Sequence, residues 1–391
     1  MKPKLVAVPN DPIADYERAG YDRLESYFNP TGVFGDVIVL SPLEQQARRV
    51  FGMSIQPVAV RDFRRALTEI RPHVVRAYGG RRPASLACCH RRHDIPVIVS
   101  VHDSRAQAIH SCLRHADLVI CLSAILRERV LDVGVDPHRI RMLPNRVDSS
   151  VFRPITNHSA LDAVAKRFPP GIHVLHVGRK VHEKNLDTLI RALAFLPPQY
   201  SCVFVGMGDR SAYMTLADEL DVASRCFWVD AIQNSELPAW YSWCDCFCVP
   251  SRSEGFGFVF IEAAACGAPI VTSDIRPMNE YLTHDVSACL VRDYTNPRAL
   301  ADGIRKACEE SDYRQRISGG ARRVAQSFEK DAIDAAEAAI YREALELPPL
   351  SLYRRFEIAR WKTATALRPV RTSFEGLGRT LLGRSSSSRT A

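Results

Sequence analysis

No stretch of the 391-residue chain approaches the roughly eighteen consecutive apolar residues that a membrane-spanning helix requires. The opening KPKLVAVPND carries a basic start but an apolar run of only five residues, short of a signal-peptide core. The expected compartment is therefore the cytoplasm. Glycine is scarce where a nicotinamide dinucleotide would need it. The first apolar run leads into PNDPIADYERAGYDRLESYFNP, which holds only Gly20 and no Gly-x-Gly-x-x-Gly, and this argues against a nicotinamide oxidoreductase. The twelve cysteines include no Cys-x2-Cys pair on a turn, so no metal is expected. Cys244, Cys246 and Cys248 alternate in WCDCFCVPS, which predicts one face of a strand and reduced thiols in the core. No basic stripe with interleaved aromatics is present, and no nucleic-acid partner is expected.

Net positive charge is also missing from most of the chain. The formal net charge is +8, but residues 348–391 hold nine Lys or Arg against Glu357 and Glu375, or +7, which leaves +1 for residues 1–347. A near-neutral body carries a basic tail.

What is present is alternation. KLVAV, DVIVL, HVVRA, PVIVSV and DLVICL read as buried strands, with helical spacing between them in RDFRRALTEI and SAILRERVLDVG. The pattern resumes in HVLHVG, CVFVG, CFWVD, CFCVPS and PIVTSD. Such alternation predicts an α/β architecture of two doubly wound parallel sheets, and a chain of this length exceeds one hydrophobic core. The expected division is 1–155, 165–330, a closing helix at 331–347 and a basic tail at 348–391.

Ligands of open parallel sheets bind at the carboxyl ends of the strands. In the second half those ends carry Arg179 and Lys184, then Met207-Gly208-Asp209, then SEGFGFVFIEAAACGAP. In this last segment Glu254 and Glu262 bracket a Gly-Phe-Gly-Phe turn that opens a helix of small residues. Free N–H groups and the macrodipole at the helix start suit an anion, and Gly255 and Gly257 would let a ligand approach the backbone. Two cations suit a diphosphate. Singly, each feature has a plainer reading as a dipole partner, a turn or a solvated cation. Their coincidence at equivalent strand ends suggests a nucleoside diphosphate joined to a sugar.

VGRKVHEKNLDTLIRAL, VGMGD, ELPAWYSWCDCFCVPS and SEGFGFVFIEAAACGAPIVTSD together resemble the donor-binding domain of glycosyltransferase family 4, retaining enzymes of GT-B architecture. The likeness extends upstream through CLSAILRERVLDVGVDPHRIRMLPNRVDSSVFRP and covers residues 95–345. It implies a transferase that moves a sugar from a nucleoside-diphosphate sugar to a sugar or lipid-linked acceptor, without a metal or other cofactor. Arg179 and Lys184 would hold the diphosphate and Glu254 the sugar hydroxyls. The backbone from Gly255 through Phe256 and Gly257 to Phe258 would meet sugar and phosphate oxygens, with Gly178 and Gly208 also at the donor. Glu262 would take the ribose diol, and Ala231 and Ile232 would lie near the base. His102, after PVIVSV, stands where the family places a histidine near the transferred sugar, although a strand-end histidine can equally be a structural hydrogen-bonder.

Two departures mark the chain. The glycine-rich loop that the family commonly has after its first strand is absent, so no acceptor-side residue is transferred from it. Arg146 in Asn145-Arg146-Val147-Asp148 replaces a glycine that could take a positive φ, which predicts a different interdomain turn. In the tail, SLYRRFEIARWKTATALR places Leu352, Tyr353, Phe356 and Leu367 on or near one side of a basic helix. That helix would rest on an anionic membrane as a peripheral attachment, or pack on the body. A nucleotide-sugar epimerase of the same architecture and a non-catalytic carbohydrate-binding or scaffold protein are the alternatives to transfer.

Overall fold

The computed structural model describes residues 2–363 except 19–20, 22–23 and 106. The first sheet comprises β1 (Lys4–Val8), β2 (Asp36–Ser41), β3 (Arg48–Val50), β4 (Met53–Pro57), β5 (Val74–Tyr78), β6 (Val97–Val101), β7 (Leu118–Cys121) and β8 (Ile140–Met142). Its spatial order is β3-β4-β2-β1-β5-β6-β7-β8, parallel except where β3 runs against β4. The second sheet comprises β9 (Ile172–Val177), β10 (Tyr200–Val205), β11 (Cys226–Val229), β12 (Cys246–Val249), β13 (Ile270–Ser273) and β14 (Cys289–Val291). It is wholly parallel in the order β11-β10-β9-β12-β13-β14. Both sheets are doubly wound, as the alternation predicts. The strands missing from the sequence reading are β3, β8 and β14, three residues each, and β4, whose MSIQP is only partly buried and offers no continuous apolar run.

The strands are buried on both faces, and alternate residues of one strand serve different cores. Leu175, Val177, Phe247 and Val249 join the cluster that continues into the first domain, whereas Val174, Cys202, Cys246 and Cys248 pack under the helices of the opposite face. This corrects the reading of three cysteines on one strand face. Cys244 precedes β12, closes the helix Leu237–Trp243 and belongs to the other cluster. All twelve thiols are free and eleven are buried.

The helix Lys330–Glu346 leaves the second domain and returns to the first. Ile340, Tyr341 and Ala344 complete the core that holds Leu5, Phe28, Val74 and Tyr78. A bridge between Val147 and Glu329 sets the crossover. Residues 352–363 then form one more helix. It lies on the first domain through Arg354 to Asp117 at 2.7 Å, Trp361 Nε1 to Ser111 Oγ at 3.3 Å and a buried Ile358. Its packing and its apolar exposure coexist: Leu352, Tyr353 and Phe356 remain 81%, 71% and 63% exposed. Leu367 and the rest of the tail lie outside the described residues.

Candidate active site

Three loops of the second domain meet at the carboxyl edge of its sheet, and glycine lets their backbones touch. A Cβ on Gly206 would lie 2.2 Å from the Gly178 carbonyl oxygen, and one on Gly208 would lie 2.9 Å from the Lys180 backbone. Both glycines adopt positive φ. Gly178 and Gly208 thus hold the loops after β9 and β10 against each other.

Arg179 is exposed, and its side chain makes no hydrogen bond or ion pair with a described residue. Lys184 ends the short turn His182–Lys184 and runs beside Gly178, whose Cβ would stand 3.4 Å from Lys184 Cε. Its Nζ donates to Glu254 Oε1 at 2.5 Å, and the Ser251 hydroxyl donates to the same oxygen at 2.7 Å. The pair is mostly buried. Arg252 braces this arrangement by gripping Asp187 and the His182 carbonyl. Lys184 and Glu254, seventy residues apart, are therefore one unit.

Phe258 begins the helix Phe258–Ala265, with Gly257 at φ +89° as its entry residue. A side chain at Gly257 would strike the Phe260 ring at 2.5 Å. Phe256 is buried and stacked on Tyr281 at 5.1 Å. Glu262 faces inward from this helix. Tyr241 donates its hydroxyl to Glu262 Oε2 at 3.0 Å, and burial pushes the carboxyl up to about 7 despite hydrogen bonds from Tyr241 and Asn234. Ile232 is half-buried against the same core.

Gly255 has a reason the sequence did not reveal. Its Cβ would fall 1.8 Å from the His102 carbonyl oxygen, so the absent side chain makes room for the first domain's backbone. Ser123, after β7, donates to the Gly255 carbonyl at 2.8 Å. His102 consequently abuts the loop that carries Glu254. Its Nε2 lies 2.7 Å from Ser100 Oγ, and burial with the Arg76 charge pushes the ring down to about 3, so it is neutral at physiological pH. Arg105 spans the same seam to Glu183. Glu280 accepts from the backbone N–H groups of Ala124 at 2.7 Å and Ile125 at 3.0 Å, capping the helix Ala124–Asp132 from the opposite domain.

The sequence pattern described as Glycosyl transferases group 1 matches residues 162–324, and that described as Glycosyl transferase 4-like domain matches residues 17–146. The chain belongs to the group 1 glycosyl transferase family. A D-inositol 3-phosphate glycosyltransferase of Xylanimonas cellulosilytica is 31% identical over 242 residues, 58% of each chain. That of Thermobispora bispora is 32% identical over 237 residues, 56% of this chain and 54% of its own. The chain thus spans little more than half the length of these relatives. Among solved structures, HepE of Anabaena in complex with UDP-glucose is similar with a TM-score of 0.73 at 19% identity, over 87% of this chain and 100% of that one. Sucrose-phosphate synthase of Thermosynechococcus elongatus gives 0.72 at 19% identity, over 87% and 98%. These likenesses establish the GT-B fold.

In this group 1 glycosyl transferase Arg146 takes a part that sequence reasoning missed. Arg146, without a positive φ, spends its side chain on the returning helix. It pairs with Asp334, reaches Glu337 at 3.0 Å and the Tyr27 carbonyl at 3.0 Å, and lies over the Tyr27 ring at 4.5 Å. Arg76 on β5 reaches Glu337 at 3.1 Å. Tyr21 lies between the helices Ile13–Arg18 and Leu24–Phe28. Desolvation and then the charge of Glu262 push its hydroxyl up to about 12, although 47% of the residue is exposed.

Proposed function

We propose that the chain transfers a hexosyl group from a nucleoside-diphosphate sugar to a hydroxyl acceptor, with retention of anomeric configuration and without a nucleotide-bound metal. The observation that carries this reading is the Lys184–Glu254–Ser251 cluster beside the start of the helix that holds Glu262, closed from above by His102. Arg179, Lys184 and the helix N–H groups would take the diphosphate and stabilise it as it departs while positive charge grows on the sugar. Glu254 would accept from sugar hydroxyls and Glu262 from a ribose diol. A UDP sugar is the first donor to test, since HepE of similar fold binds UDP-glucose.

The test is thermal stabilisation by UDP, GDP, ADP and CDP, followed by NMR of the product formed from the stabilising donor. An α-linked product from an α-donor supports retention, and activity surviving EDTA supports independence from metal. An epimerised nucleotide sugar formed without acceptor would replace transfer by epimerisation. Stabilisation without any turnover would make the protein a carbohydrate-binding scaffold.

The finer role we propose is glycan synthesis at an anionic membrane face. Support comes from Leu352, Tyr353 and Phe356, exposed on a helix that also bears Arg355 and Arg360. Because Ile358 and Trp361 anchor this helix to the body, substitution is a cleaner probe than deletion. Leu352→Ser, Tyr353→Ser and Phe356→Ser together should abolish sedimentation with anionic liposomes and leave UDP binding intact. Unchanged sedimentation would remove the membrane role.

A further inference from the structure

Behind His102 the first domain encloses a small polar space that the chemistry described so far does not use. Arg76, Ser100, His102, Asn145, Arg146 and Glu337 are among the residues that line it, and it leaves about 20 Å³ for the centre of a water molecule. Roughly 10–15 Å³ by that measure admits one water. The strand register brings Arg76 and Ser100 together. Arg76 on β5 is paired with Ile98 on β6, and Tyr78 with Ser100, so Arg76, Tyr78 and Ser100 project from the same face, the one that the returning helix covers. Arg76 is 2% exposed, yet its guanidinium is only partly satisfied. Nη2 donates to Glu337 Oε1 at 3.1 Å and the group lies over the Tyr78 ring at 4.5 Å, but Nε and Nη1 are buried with no hydrogen-bond partner among the described residues. A buried charged donor left unpaired is costly, and a water in the adjoining space relieves it. Ser100 lines the same space and lies 2.7 Å from His102 Nε2.

The charge sets the direction of the protons. A water bound to a guanidinium turns its oxygen to the cation and its hydrogens away, so it donates to Ser100 and accepts nothing from it. The Ser100 hydroxyl then has one proton to give. The 2.7 Å contact to His102 Nε2 takes it in preference to the 3.5 Å contact to the Ala77 carbonyl. Hydrogen bonds that run one way from a cation polarise and strengthen one another. Burial and the Arg76 charge push the ring down to about 3, so at neutral pH it has one acceptor nitrogen and one donor. With Nε2 accepting, the proton is on Nδ1.

We propose that Arg76 is a positioning residue for His102, acting through one water and Ser100 to fix the ring as its Nδ1–H tautomer. Its functional meaning rests on the transfer reading, in which His102 then meets the bound sugar as a hydrogen-bond donor and not as a base. The experiment is long-range proton–nitrogen NMR correlation of histidine-labelled protein at neutral pH without ligand, with His102→Asn to identify the signals. The wild type should show Nδ1–H in at least about tenfold excess, the preference that one charge-assisted hydrogen bond confers. Ser100→Ala breaks the chain and leaves the Arg76–Glu337 pair in place, and it should bring the two tautomers to within about threefold. Arg76→Met should do the same, and Arg76→Lys, which keeps a charged donor, should retain the excess. Arg76→Met also strips Glu337 of a buried partner, so Ser100→Ala decides the matter if that variant does not fold. An Nε2–H ring in the wild type, or an Nδ1–H excess that survives Ser100→Ala, overturns the proposal. A crystal structure with an anion, or no density, between Arg76 and Ser100 overturns it as well. The spectra need neither donor nor acceptor, so the tautomer stands or falls apart from transfer, and absence of turnover with every sugar nucleotide would count against the transfer reading alone.

Discussion

The two carboxyl edges that face each other across this molecule are finished in different ways. On the second sheet the proposed donor edge is local: Lys184, Ser251, Glu254 and Glu262 are held by Arg252, Tyr241 and glycine-mediated loop contacts from the same domain. On the first sheet the edge is completed from afar. Arg76 and Arg146 depend on Asp334 and Glu337, His102 abuts Gly255, and the helix after β7 is capped by Glu280. One edge is a site built on its own domain, and the other becomes complete only when the rest of the chain closes over it. Substitutions of the distant partners should therefore register mainly as stability or closure, and those of the local partners mainly as ligand affinity.

The largest effect is expected at Arg146. Replacing it by alanine leaves Asp334 and Glu337, both buried, with only Lys330 and Arg76 to balance them. Removing one partner of a buried ionic group costs about 3–5 kcal/mol. Urea denaturation should show a loss near the lower end, because two cations remain. A loss under about 1 kcal/mol would mean that the crossover helix does not depend on this network.

Glu262 should behave in the opposite sense. Its carboxyl is raised from 4.5 to about 7 in the folded chain, so the native state binds a proton that the unfolded state releases. Stability contributed by this group is full below the unfolded value, falls as pH rises from about 4.5 to 7, and stays lower above. At about 1.4 kcal/mol per tenfold, ionisation opposes folding by up to about 3 kcal/mol at pH 8. Glu262→Gln should therefore raise the melting temperature at pH 8, have no effect at pH 4, and weaken nucleotide binding by about tenfold through the loss of a charged acceptor. A variant equally stable at both pH values would show that the carboxyl is not held neutral. Undiminished nucleotide affinity would remove it from the ribose.

The same contrast explains what could be read from the sequence. The placement of Arg179, Lys184, Glu254 and Glu262 at one sheet edge, the proposed donor edge, was legible because each loop follows a buried apolar strand and these side chains are chemically conspicuous there. The fold was legible for a related reason: strands buried on both faces leave continuous apolar runs, and only the three-residue β3, β8 and β14 and the partly buried β4 escape. The service of Gly255 to His102, of Arg146 to the returning helix and of Glu280 to the helix Ala124–Asp132 was not legible. Each depends on a partner more than a hundred residues away, and no local pattern records it. Tyr241 and Asn234 were hidden differently, as ordinary members of an aromatic helix and its approach.

Within the donor edge, the two cations should separate affinity from stability. The Arg179 side chain makes no hydrogen bond or ion pair with a described residue and acts on Glu183 only through its charge, so Arg179→Ala should weaken nucleotide binding by about 1.5–3 kcal/mol and leave ligand-free stability within about 0.5 kcal/mol. Lys184→Ala should cost a similar amount of affinity and, in addition, about 1 kcal/mol of stability, because Glu254 is then left mostly buried with only Ser251 beside it. Calorimetry and denaturant titration on both variants read the two quantities separately. Equal stability losses would mean that the Lys184–Glu254 pair contributes nothing before the donor arrives.

The smallest effect is expected at Glu280, and it bears on closure. Its carboxylate replaces a capping side chain that Ser123 could otherwise have supplied. Ser123 occupies the capping position of Ala124–Asp132 but makes no capping bond, its hydroxyl being turned to donate to the Gly255 carbonyl. Both interactions cross the seam, so the helix start is satisfied only while the domains are together. Losing a cap costs about 1 kcal/mol. Arg276 would also lose one of its two carboxylates while keeping Glu128. Glu280→Ala should therefore shift an opening equilibrium by about fivefold, with global stability changed little and nucleotide affinity intact, since the donor groups remain on one domain. Small-angle scattering should show a larger radius of gyration for the ligand-free variant, and hydrogen exchange should be faster at the Ala124 and Ile125 amides. If exchange there is unchanged while urea stability falls, Glu280 serves the fold of its own domain, and the contrast between a local edge and a borrowed one fails at this point.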